Sequence, residues 1–484
     1  MATQRMVCWV QWGVLIFLQS AVHAQNLDRT VSDKSGQVMS WVTFTDKSKL
    51  LAAHTPTQFG QHKPLKINIE VNSQIKYQEM VGFGANITDA SAWLIQNKLS
   101  ESAKQKLLQD LFGPSPGAGF SFTRLTMGAS DFSMHHYSLN DTAPGTRDDA
   151  LQNFSLAPMK ADVLPILKWA MRINPQLKVM ASPWSAPAWM KTTDSLIKGT
   201  LRPDAYGAFA KYLNQFADEL LLEGIQLHAI TLQNEPHFEP DDYPGMRLMP
   251  EMRAQLISDH VGPLFAKRKE KIRLLDWDHN WDDVQSPLAV LANEKARPYI
   301  AGVAWHCYGG EVQAQAQVHA AYPDKETYFT ECSGGEWKPH WEETLPWYMK
   351  HLIIGTTRNW AKGVLLWNLA LDENHGPHLG GCKDCRGVVT INSVTGKVTK
   401  NFDYYALAHA SRFVRQGARR IDSSSGIDGI ETVAFQNADD QSIVLVVLNG
   451  ASEGRQFSVA FKGKTIRQEL PSASVMTLTW RDFE

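Results

Sequence analysis

The sequence has few cysteines, almost no net charge and, after its first residues, no stretch long and apolar enough to cross a bilayer. Its 484 residues include five cysteines, and 48 Lys and Arg side chains are balanced by 50 Asp and Glu side chains, for a formal net charge of −2. This balance gives no electrostatic reason to bind nucleic acid or an anionic membrane surface. We therefore expect no nucleic-acid partner and no membrane span.

Several catalytic motifs are also missing. The chain has no H-E-x-x-H helix of zinc proteases and no nucleotide- or flavin-binding fingerprint. The stretch from Asp278 to Asp283 contains residue types that ligate metals, but we interpret it as a hydrated loop after a strand. The sequence therefore predicts neither a metal site nor an organic cofactor.

The first 24 residues have the pattern of a secretory signal peptide. Arg5 provides a positive charge, Met6 to Val22 is mostly apolar, and small residues precede Gln25, so cleavage is expected after Ala24. The alternative is an uncleaved membrane anchor. Cleavage would give a secreted protein, either extracellular or periplasmic, in which disulfides can form.

The four cysteines that remain after cleavage form two pairs along the chain. Cys382 and Cys385 lie in the loop GGCKDCRG, where a local disulfide is the first interpretation and a zinc half-site is the alternative. Cys307 and Cys332 follow two successive predicted strands, so they could be neighbours in space. The sequence alone leaves open whether either pair is bonded.

Two hydrophobic patterns divide the rest of the chain. Apolar and polar residues alternate from Leu65 to Val71 and again near the C-terminus, which predicts antiparallel strands. Between these regions, short apolar runs alternate with helical segments, which is typical of β/α units around a parallel sheet. We predict an α/β fold, a (β/α)8 TIM barrel with an appended β-sandwich built from both chain ends. The expected boundaries are 25–78 for the N-terminal β segment, 79–410 for the barrel and 411–484 for the C-terminal sandwich.

Eight apolar runs are predicted to be the barrel strands. One intervening helix is expected to be capped by Asp204, and another to start at Pro250. Active sites of such barrels lie at the carboxyl ends of the strands, so polar residues at those ends are candidates for chemistry. The predicted strands are Gly82–Thr88, Phe122–Gly128, Leu177–Trp184, Leu227–Asn234, Ile272–Asp278, Ile300–Tyr308, Glu326–Cys332 and Gly363–Ala370.

Two glutamates meet this criterion. Glu235 follows the fourth predicted strand in the sequence QNEP, and Glu331 ends the seventh in the sequence FTEC. Glycoside hydrolysis requires such a pair, in which one carboxyl protonates the leaving oxygen while the other attacks or stabilises the anomeric carbon. Two unrelated loop glutamates are the alternative. Sequence spacing gives no distance, so it leaves both retention and inversion open.

Seven further residues stand at other predicted strand ends, and each also has a structural interpretation. Asp131 could cap a turn, the tryptophans could be core aromatics, and the arginine could be a core ion-pair partner that still orients a carboxylate. The histidine and the tyrosine could serve packing alone. Convergence of all seven on strand ends favours a sugar-binding site. The seven are Asp89, Arg124, Asp131, Trp184, His306, Tyr308 and Trp367.

Seven sequence segments, in order along the predicted barrel, resemble one enzyme family. They are GFGANITDA (82–90), TRLTMGASDFS (123–133), ASPWSAPAWMK (181–191), LQNEP (232–236), WHCY (305–308), FTEC (329–332) and WNLALDENHGP (367–377). Together they resemble glycoside hydrolase family 30 of clan A, the family of glucosylceramidase and of bacterial and fungal β-glucanases. Its members also carry a β-sandwich built from both chain ends around the barrel.

The resemblance implies a role for each matched residue. Glu235 would be the general acid/base, and Glu331 would be the nucleophile of a retaining mechanism that passes through a glycosyl-enzyme. Asn234 would bind the sugar 2-hydroxyl, while Arg124 and Tyr308 would hold Glu331. The other implied substrate-binding and supporting residues are Asp131, Trp184, Trp367 and His306.

The resemblance also implies a β-linked glucoside as the substrate. The first expectation is a glucosylceramidase-like β-glucosidase that acts on a β-glucoside or glycolipid. An endo-β-1,6-glucanase that acts on a β-glucan is the alternative, and a non-catalytic carbohydrate-binding protein is a third hypothesis. The loop GGCKDCRG differs from its counterpart in animal glucosylceramidase, which shapes the aglycone side. The segment from His237 to Met246 is short of apolar residues, which favours a glucan.

Overall fold

The computed structural model describes residues 30–32 and 34–483. The predicted signal peptide and its cleavage site after Ala24 lie outside the described residues. Within the described part of the chain, no helix has the length and apolar character that a bilayer crossing needs.

Three strands at the start of the described chain belong to an outer β-sheet. In the third strand, Ile69 and Val71 are buried while Glu70 and Asn72 are exposed, so the predicted alternation is confirmed. One face of this strand therefore packs on a core and the other faces water. The strands are β1 (Gln37–Thr43), β2 (Ala52–Gln58) and β3 (Asn68–Glu79).

Eight parallel strands form the central sheet, and all eight predicted strands are confirmed with small shifts at their ends. The largest shift is in the fourth strand, which ends at Thr231 rather than at Asn234. The strands are β4 (Gly82–Asn86), β5 (Phe122–Met127), β6 (Lys178–Pro183), β7 (Leu227–Thr231), β8 (Arg273–Asn280), β9 (Ile300–His306), β10 (Glu326–Glu331) and β11 (Ala361–Asn368).

The central sheet closes into a barrel. Its strand order is β4-β11-β10-β9-β8-β7-β6-β5, and β4 lies against β5, where the amide of Ser121 donates to the carbonyl oxygen of Phe83 at 3.0 Å. A Cβ atom added to Gly84 would lie 2.0 Å from the carbonyl oxygen of Phe122. Only glycine permits this approach of the two backbones, which explains the GFG sequence that opens the barrel.

Helices surround the barrel and share one continuous apolar core with its strands. Ile257–Val261 and Tyr348–Gly355 have π-helical geometry and connect α6 to α7 and α10 to α11. The helices are α1 (Asp89–Lys98), α2 (Glu101–Phe112), α3 (Ala157–Lys160), α4 (Val163–Ile173), α5 (Tyr206–Leu222), α6 (Pro250–Leu256), α7 (Gly262–Ala266), α8 (Gln285–Ala292), α9 (Ala314–Ala321), α10 (Trp341–Trp347), α11 (Thr356–Arg358) and α12 (Phe402–Ser411).

The prediction that Asp204 caps α5 is wrong. The helix starts at Tyr206 without a side-chain cap, and Asp204 lies in the short 3₁₀ turn Pro203–Ala205. Its carboxylate pairs with Arg147 instead, so a tertiary ion pair replaces the local cap. The start of α6 at Pro250 is confirmed, because a proline in the first turn loses no intrahelical hydrogen bond.

Six C-terminal strands complete a nine-stranded sheet with β1, β2 and β3. The strand order is β2-β1-β17-β14-β13-β12-β3-β15-β16, and the sheet folds over an apolar core that includes Phe59, Leu445 and Trp480. The predicted sandwich from both chain ends is therefore confirmed. The added strands are β12 (Arg419–Ser423), β13 (Ile430–Gln436), β14 (Ser442–Asn449), β15 (Arg455–Phe461), β16 (Lys464–Leu470) and β17 (Ser474–Arg481).

Buried polar contacts join the sandwich to the barrel. The ring nitrogens of His409 on α12 lie 2.8 Å from the hydroxyls of Thr477 and Thr43 in the sandwich. Burial lowers the pKa of His409 to about 3, so its imidazole is neutral and can bond to both hydroxyls. His409 thus connects the barrel to two sandwich strands, one from each end of the chain.

Candidate active site

The two candidate glutamates lie at the carboxyl ends of their strands. Glu331 is the last residue of β10, whereas Glu235 lies in the turn that follows β7 and has a φ of 50°. Positive φ is uncommon for a residue other than glycine. The amide of Glu235 donates to the carbonyl oxygen of Asp278 at 3.0 Å, so the neighbouring strand stabilises this conformation.

The barrel brings the two carboxyl groups together with an imidazole between them. Glu235, His306 and Glu331 each present a side-chain atom, and these atoms all lie within 4.8 Å of one another. Nδ1 of His306 lies 3.2 Å from Oε1 of Glu235 and 4.0 Å from Oε1 of Glu331. The side chain of Glu235 is 14% exposed and that of Glu331 is 6% exposed, so a substrate bound at this pair would be shielded from bulk water.

Arg124 joins the two halves of the site. Its guanidinium donates to Oε2 of Glu331 at 2.6 Å, to Oδ1 of Asn234 at 2.7 Å and to Oδ2 of Asp278 at 2.7 Å. The side chain is fully buried, and its Cζ lies 4.7 Å from the ring of Trp184. Arg124 is therefore a core ion-pair partner that also orients a carboxylate, as one interpretation of the sequence expected.

The interpretation of Asp278 as part of a hydrated loop is wrong. Strand β8 continues to Asn280, so Asp278 is fully buried in the barrel mouth. Burial alone would raise its pKa, but the charge of Arg124 and the hydrogen bond from His306 hold the pKa far below its ordinary value. The side chains that donate to Asp278 are Arg124, Ser182, Thr231, His306 and Thr330, at 2.7 to 3.0 Å.

His306 is positively charged at neutral pH. Burial alone would lower its pKa, but the charge of Glu331 and hydrogen bonds to Asp278 and Glu235 raise it to about 9. Nε2 of the ring lies 3.0 Å from Oδ1 of Asp278, while Nδ1 faces Glu235. The imidazolium is therefore a buried proton donor directed at a candidate catalytic carboxylate, not only a structural histidine.

The pKa values of the two glutamates shift in opposite directions. Burial raises the pKa of Glu331, and the charge of Glu235 adds to this against the opposing charges of His306 and Arg124. At Glu235 burial acts in the same direction, but the hydrogen bond from His306 and the charge of His279 lower the pKa. Protonation of this site is therefore shared among both carboxyls and the imidazole.

A cavity of about 700 Å³ opens over the carboxyl pair. Trp184 and Trp367 form one wall with their rings stacked 5.0 Å apart, and they also pack on an apolar cluster around Phe132. Both tryptophans are thus core aromatics and cavity walls. Asp131 lines the cavity too, and burial together with the charges of both glutamates raises its pKa well above its usual value. All four predicted substrate-binding residues line this cavity: Asp131, Trp184, Asn234 and Trp367.

Of two other candidates, Tyr308 also lines the cavity and Asp89 does not. The hydroxyl of Tyr308 donates to Oε1 of Glu331 at 3.0 Å, as the resemblance implied. Asp89 does not line the cavity, because it begins α1 and its carboxylate accepts from Ser133 at 2.7 Å and Tyr137 at 2.9 Å. Asp89 therefore stabilises the loop after β5 rather than contacting a substrate in the cavity.

Sequence reasoning missed several residues that line the cavity. His279 lies beyond Glu235, with Nε2 at 3.9 Å from Oε1 of that glutamate, and burial lowers the pKa of His279 to about 4. Three aromatic residues that line the cavity were also missed, because they lie on loops after β7 and β10, where the sequence has no periodic pattern. Their closeness in sequence to the ends of these strands is a signal that could have found them. They are Phe238, Tyr243 and Trp337.

Both cysteine pairs are bonded. Cys382–Cys385 is a local disulfide, so the first interpretation is confirmed and the zinc half-site is wrong. The backbone N–H of Cys382 donates to the carboxyl of Asp131, which places this loop at the cavity wall. Cys307–Cys332 connects the ends of β9 and β10, directly after two site residues, and thereby stabilises their spacing.

The carboxyl–imidazole cluster also has atoms placed as metal ligands. A cation bound by Glu235, His306 and Glu331 would displace the proton of His306. It would also compete with the Arg124 guanidinium, 2.6 Å from Glu331, for the same carboxylate. The donor set therefore fits a polar organic substrate better than a metal ion.

Comparisons with known proteins agree with this geometry. The glycosyl hydrolase family 30 TIM-barrel domain matches residues 80–414, and the β-sandwich domain of that family matches residues 417–478. The endo-1,6-β-D-glucanase of Aspergillus fumigatus is 34% identical over 96% of this chain and 98% of its own. Mouse lysosomal acid glucosylceramidase is 28% identical over 84% of this chain and 82% of its own.

A solved structure of a glucanase is also similar to this chain. An endo-β-1,6-glucanase superposes with a TM-score of 0.86 at 31% identity, over 93% of this chain and 100% of that chain. The barrel and the sandwich are thus found together in one family. The chain belongs to glycoside hydrolase family 30 and is an enzyme that hydrolyses glycosidic bonds.

Proposed function

We propose that the protein is a secreted, retaining endo-β-1,6-glucanase, with Glu331 as nucleophile and Glu235 as general acid/base. The observation that carries the retaining mechanism is the approach of these two carboxyl groups to within 4.8 Å. Retaining glycosidases hold their carboxyl groups roughly 5–5.5 Å apart, whereas inverting enzymes need about 6.5–9.5 Å to admit a water molecule. The signal-peptide pattern and the two disulfides support secretion.

In the first step Glu331 attacks the anomeric carbon and forms a glycosyl ester. Arg124 and Tyr308 each donate to one oxygen of this carboxylate, at 2.6 Å and 3.0 Å, and so fix its direction. Asn234, held by Arg124 at 2.7 Å, presents its amide to the 2-hydroxyl of the sugar. That contact strengthens as the oxocarbenium-like transition state develops.

His306 supplies the proton that Glu235 passes to the leaving oxygen. The charge of Glu331 is the largest contribution that raises the pKa of His306. Ester formation removes this charge, so the imidazolium becomes a stronger acid just as the leaving oxygen becomes basic. The proton moves across the 3.2 Å contact to Glu235 and from there to the leaving group. In the second step Glu235 takes a proton from the water that attacks the ester, Glu331 is released as a carboxylate, and the proton returns from Glu235 to His306 across the same contact.

The cavity and the relatives together support β-1,6-glucan as the substrate. The deep part is bounded by the buried side chains of Asp131 and the stacked tryptophans, and the wider part is rimmed by exposed Phe238 and by Tyr243. Three curated relatives at 32–34% identity are endo-1,6-β-glucanases, whereas the glucosylceramidases are 27–29% identical. These findings favour the glucanase over the glucosylceramidase that we expected first.

A substrate comparison tests this proposal. Purified enzyme should release a ladder of oligosaccharides from β-1,6-glucan, with little glucose from glucosylceramide and slower turnover of an aryl β-glucoside. Glu331→Gln, prepared in parallel, controls for contaminating activity. Glucose released from glucosylceramide with no cleavage of the glucan would overturn the proposed substrate, and binding of glucan without any cleavage would support the non-catalytic hypothesis instead.

Replacing Asp278 with asparagine is expected to lower both stability and activity. Arg124 would lose a buried carboxylate partner, and breaking one buried ion pair costs roughly 3–5 kcal/mol of unfolding free energy. The change also removes a charge that raises the pKa of His306, so less of the proton donor is present at neutral pH. Urea unfolding and kcat/KM against pH measure the two effects, and the fall in activity should be steepest on the alkaline side.

Asp276→Asn is the matched control. Asp276 is also buried in β8 and pairs with Arg253 at 2.8 Å, but it does not line the cavity. It should lose comparable stability and keep the pH profile of the wild type. Equal losses of activity, with both pH profiles unchanged, would reduce Asp278 to a purely structural role.

A further inference from the structure

A second cavity opens beside the catalytic one. Its volume is about 390 Å³, and it shares Tyr308 and Trp337 with the catalytic cavity. The Cys307–Cys332 disulfide and Trp347 line this side cavity and not the catalytic one. The side cavity thus borders the catalytic cavity at Tyr308 and Trp337, whereas Asp131 and the stacked tryptophans line only the catalytic cavity.

Two exposed tryptophans form the walls of the side cavity. Trp337 is 51% exposed and Trp347 is 40% exposed, although large apolar side chains are usually buried. A Cβ atom on Gly335 would lie 1.9 Å from Cζ3 of Trp337, so the indole lies directly on the glycine backbone. Gly335 pairs with Cys385, so the disulfide loop of the catalytic cavity supports the ring. Trp337 therefore presents a fixed aromatic face to solvent.

The lining favours a sugar over an alkyl chain. Among the described residues that line the side cavity, none is Leu, Ile, Val or Met, which are the side chains expected around a lipid tail. Lys338 and Glu343 lie at its edge, 3.7 Å apart, and offer hydrogen bonds to hydroxyl groups. Flat aromatic rings beside a few polar groups fit the apolar faces and hydroxyl edges of pyranose rings.

We propose that the side cavity binds the glucan chain on the leaving-group side of the scissile bond, with Trp337 and Trp347 as stacking platforms. This inference rests on the proposed function. The reacting sugar occupies the deep pocket beside Asp131, and Glu331 marks the scissile bond. Tyr308 contacts Glu331 and also lines the side cavity, so a chain that leaves the deep pocket passes Tyr308 into the side cavity. The side cavity would then favour long glucan chains over short ones. An aryl glucoside of a single sugar does not reach the side cavity, so its hydrolysis should not depend on Trp347.

Trp347→Ala tests the platform because Trp347 lines the side cavity alone. The ratio of kcat/KM on long β-1,6-gluco-oligosaccharides to kcat/KM on an aryl β-glucoside should fall about tenfold, the effect of one lost stacking contact. Trp347→Phe keeps an aromatic face and should keep most of the ratio. Leu222→Ala, at an 82% exposed position that lines neither cavity, should leave the ratio unchanged.

The outcomes separate this inference from the proposed function. If the wild type cleaves the glucan and Trp347→Ala leaves the ratio unchanged, the side cavity does not bind the chain. A wild type that leaves β-1,6-glucan intact overturns the proposed function and this inference with it. A loss confined to glucosylceramide would show a lipid in the side cavity and contradict the inference. If thermal unfolding shows that the alanine variant is not folded, Trp347→Gln replaces it, since glutamine fills space without an aromatic face.

Discussion

Glu331→Gln should lower kcat/KM by at least ~10⁴-fold on every substrate, because removing an activated nucleophile leaves only binding and electrostatic contributions. The amide of glutamine cannot form the glycosyl ester, and it also loses the charge-assisted bond from Arg124 at 2.6 Å. Incubation of the wild type with an activated 2-fluoro-glucoside should trap the intermediate. After reduction of the Cys307–Cys332 disulfide, mass spectrometry should find the label on the peptide that contains Thr330-Glu331-Cys332.

Two neighbouring glutamates provide controls for this assignment. Glu326 begins the same strand and is paired with Lys362 at 2.6 Å, while Glu336 lies past the strand and pairs with Arg386 at 3.6 Å. Glu326→Gln and Glu336→Gln should keep most of the activity, and both variants should still be labelled on Glu331. A covalent label on Glu326 or Glu336 in the wild type would assign the nucleophile to a different residue.

Glu235→Gln should show a loss of activity that depends on the leaving group. General acid catalysis contributes roughly 10²- to 10⁴-fold, and it matters most when the leaving oxygen is basic. The variant should therefore lose about this factor on β-1,6-glucan and much less on a dinitrophenyl β-glucoside. With the dinitrophenyl substrate the glycosyl-enzyme should accumulate, and azide should restore turnover by attacking the ester without needing a general base.

Glu239→Gln is the matched control for this variant. Glu239 follows on the same loop, but its carboxylate binds Arg247 at 3.2 Å and the amide of Gly199 at 2.9 Å rather than lining the catalytic cavity. Its activity should be close to that of the wild type on both substrates, with no response to azide. Equal losses on both substrates for Glu235→Gln, with no azide effect, would remove Glu235 from the acid/base role.

The barrel strands could be predicted because each leaves a local mark in the sequence. A strand buried on both faces is a short apolar run, and the polar residue that follows it faces the barrel mouth. That rule pointed to Glu235 and Glu331, and the structure brings their side chains together. Arg124 was also expected at a strand end, but it lies inside β5 and reaches Glu331 from there. The rule failed at Asp89, which begins α1 and does not line the cavity. The end of a strand does not specify the direction that the following chain takes.

Other features could not be predicted because they depend on distances between distant segments. Asp276 and Asp278 are two residues apart in β8, so a regular strand would place them on one face. An irregularity in the pairing of β8 at this point turns Asp278 to the catalytic site, while Asp276 faces Arg253. The pKa of His306 rises because three carboxylates from three different strands and loops surround it. Charges that meet only in the folded chain leave no pattern in the order of residues.

The amino-acid sequence by itself determined the fold class, the family and the pair of glutamates, because apolar periodicity and short motifs are local properties of the chain. The tertiary structure alone decided the approach of Glu235 to Glu331, both disulfide pairings and the side cavity between Tyr308 and Trp347. Each of these depends on which loops meet at the barrel mouth. Loop positions follow from packing between residues far apart in sequence, so they appear only when the barrel closes.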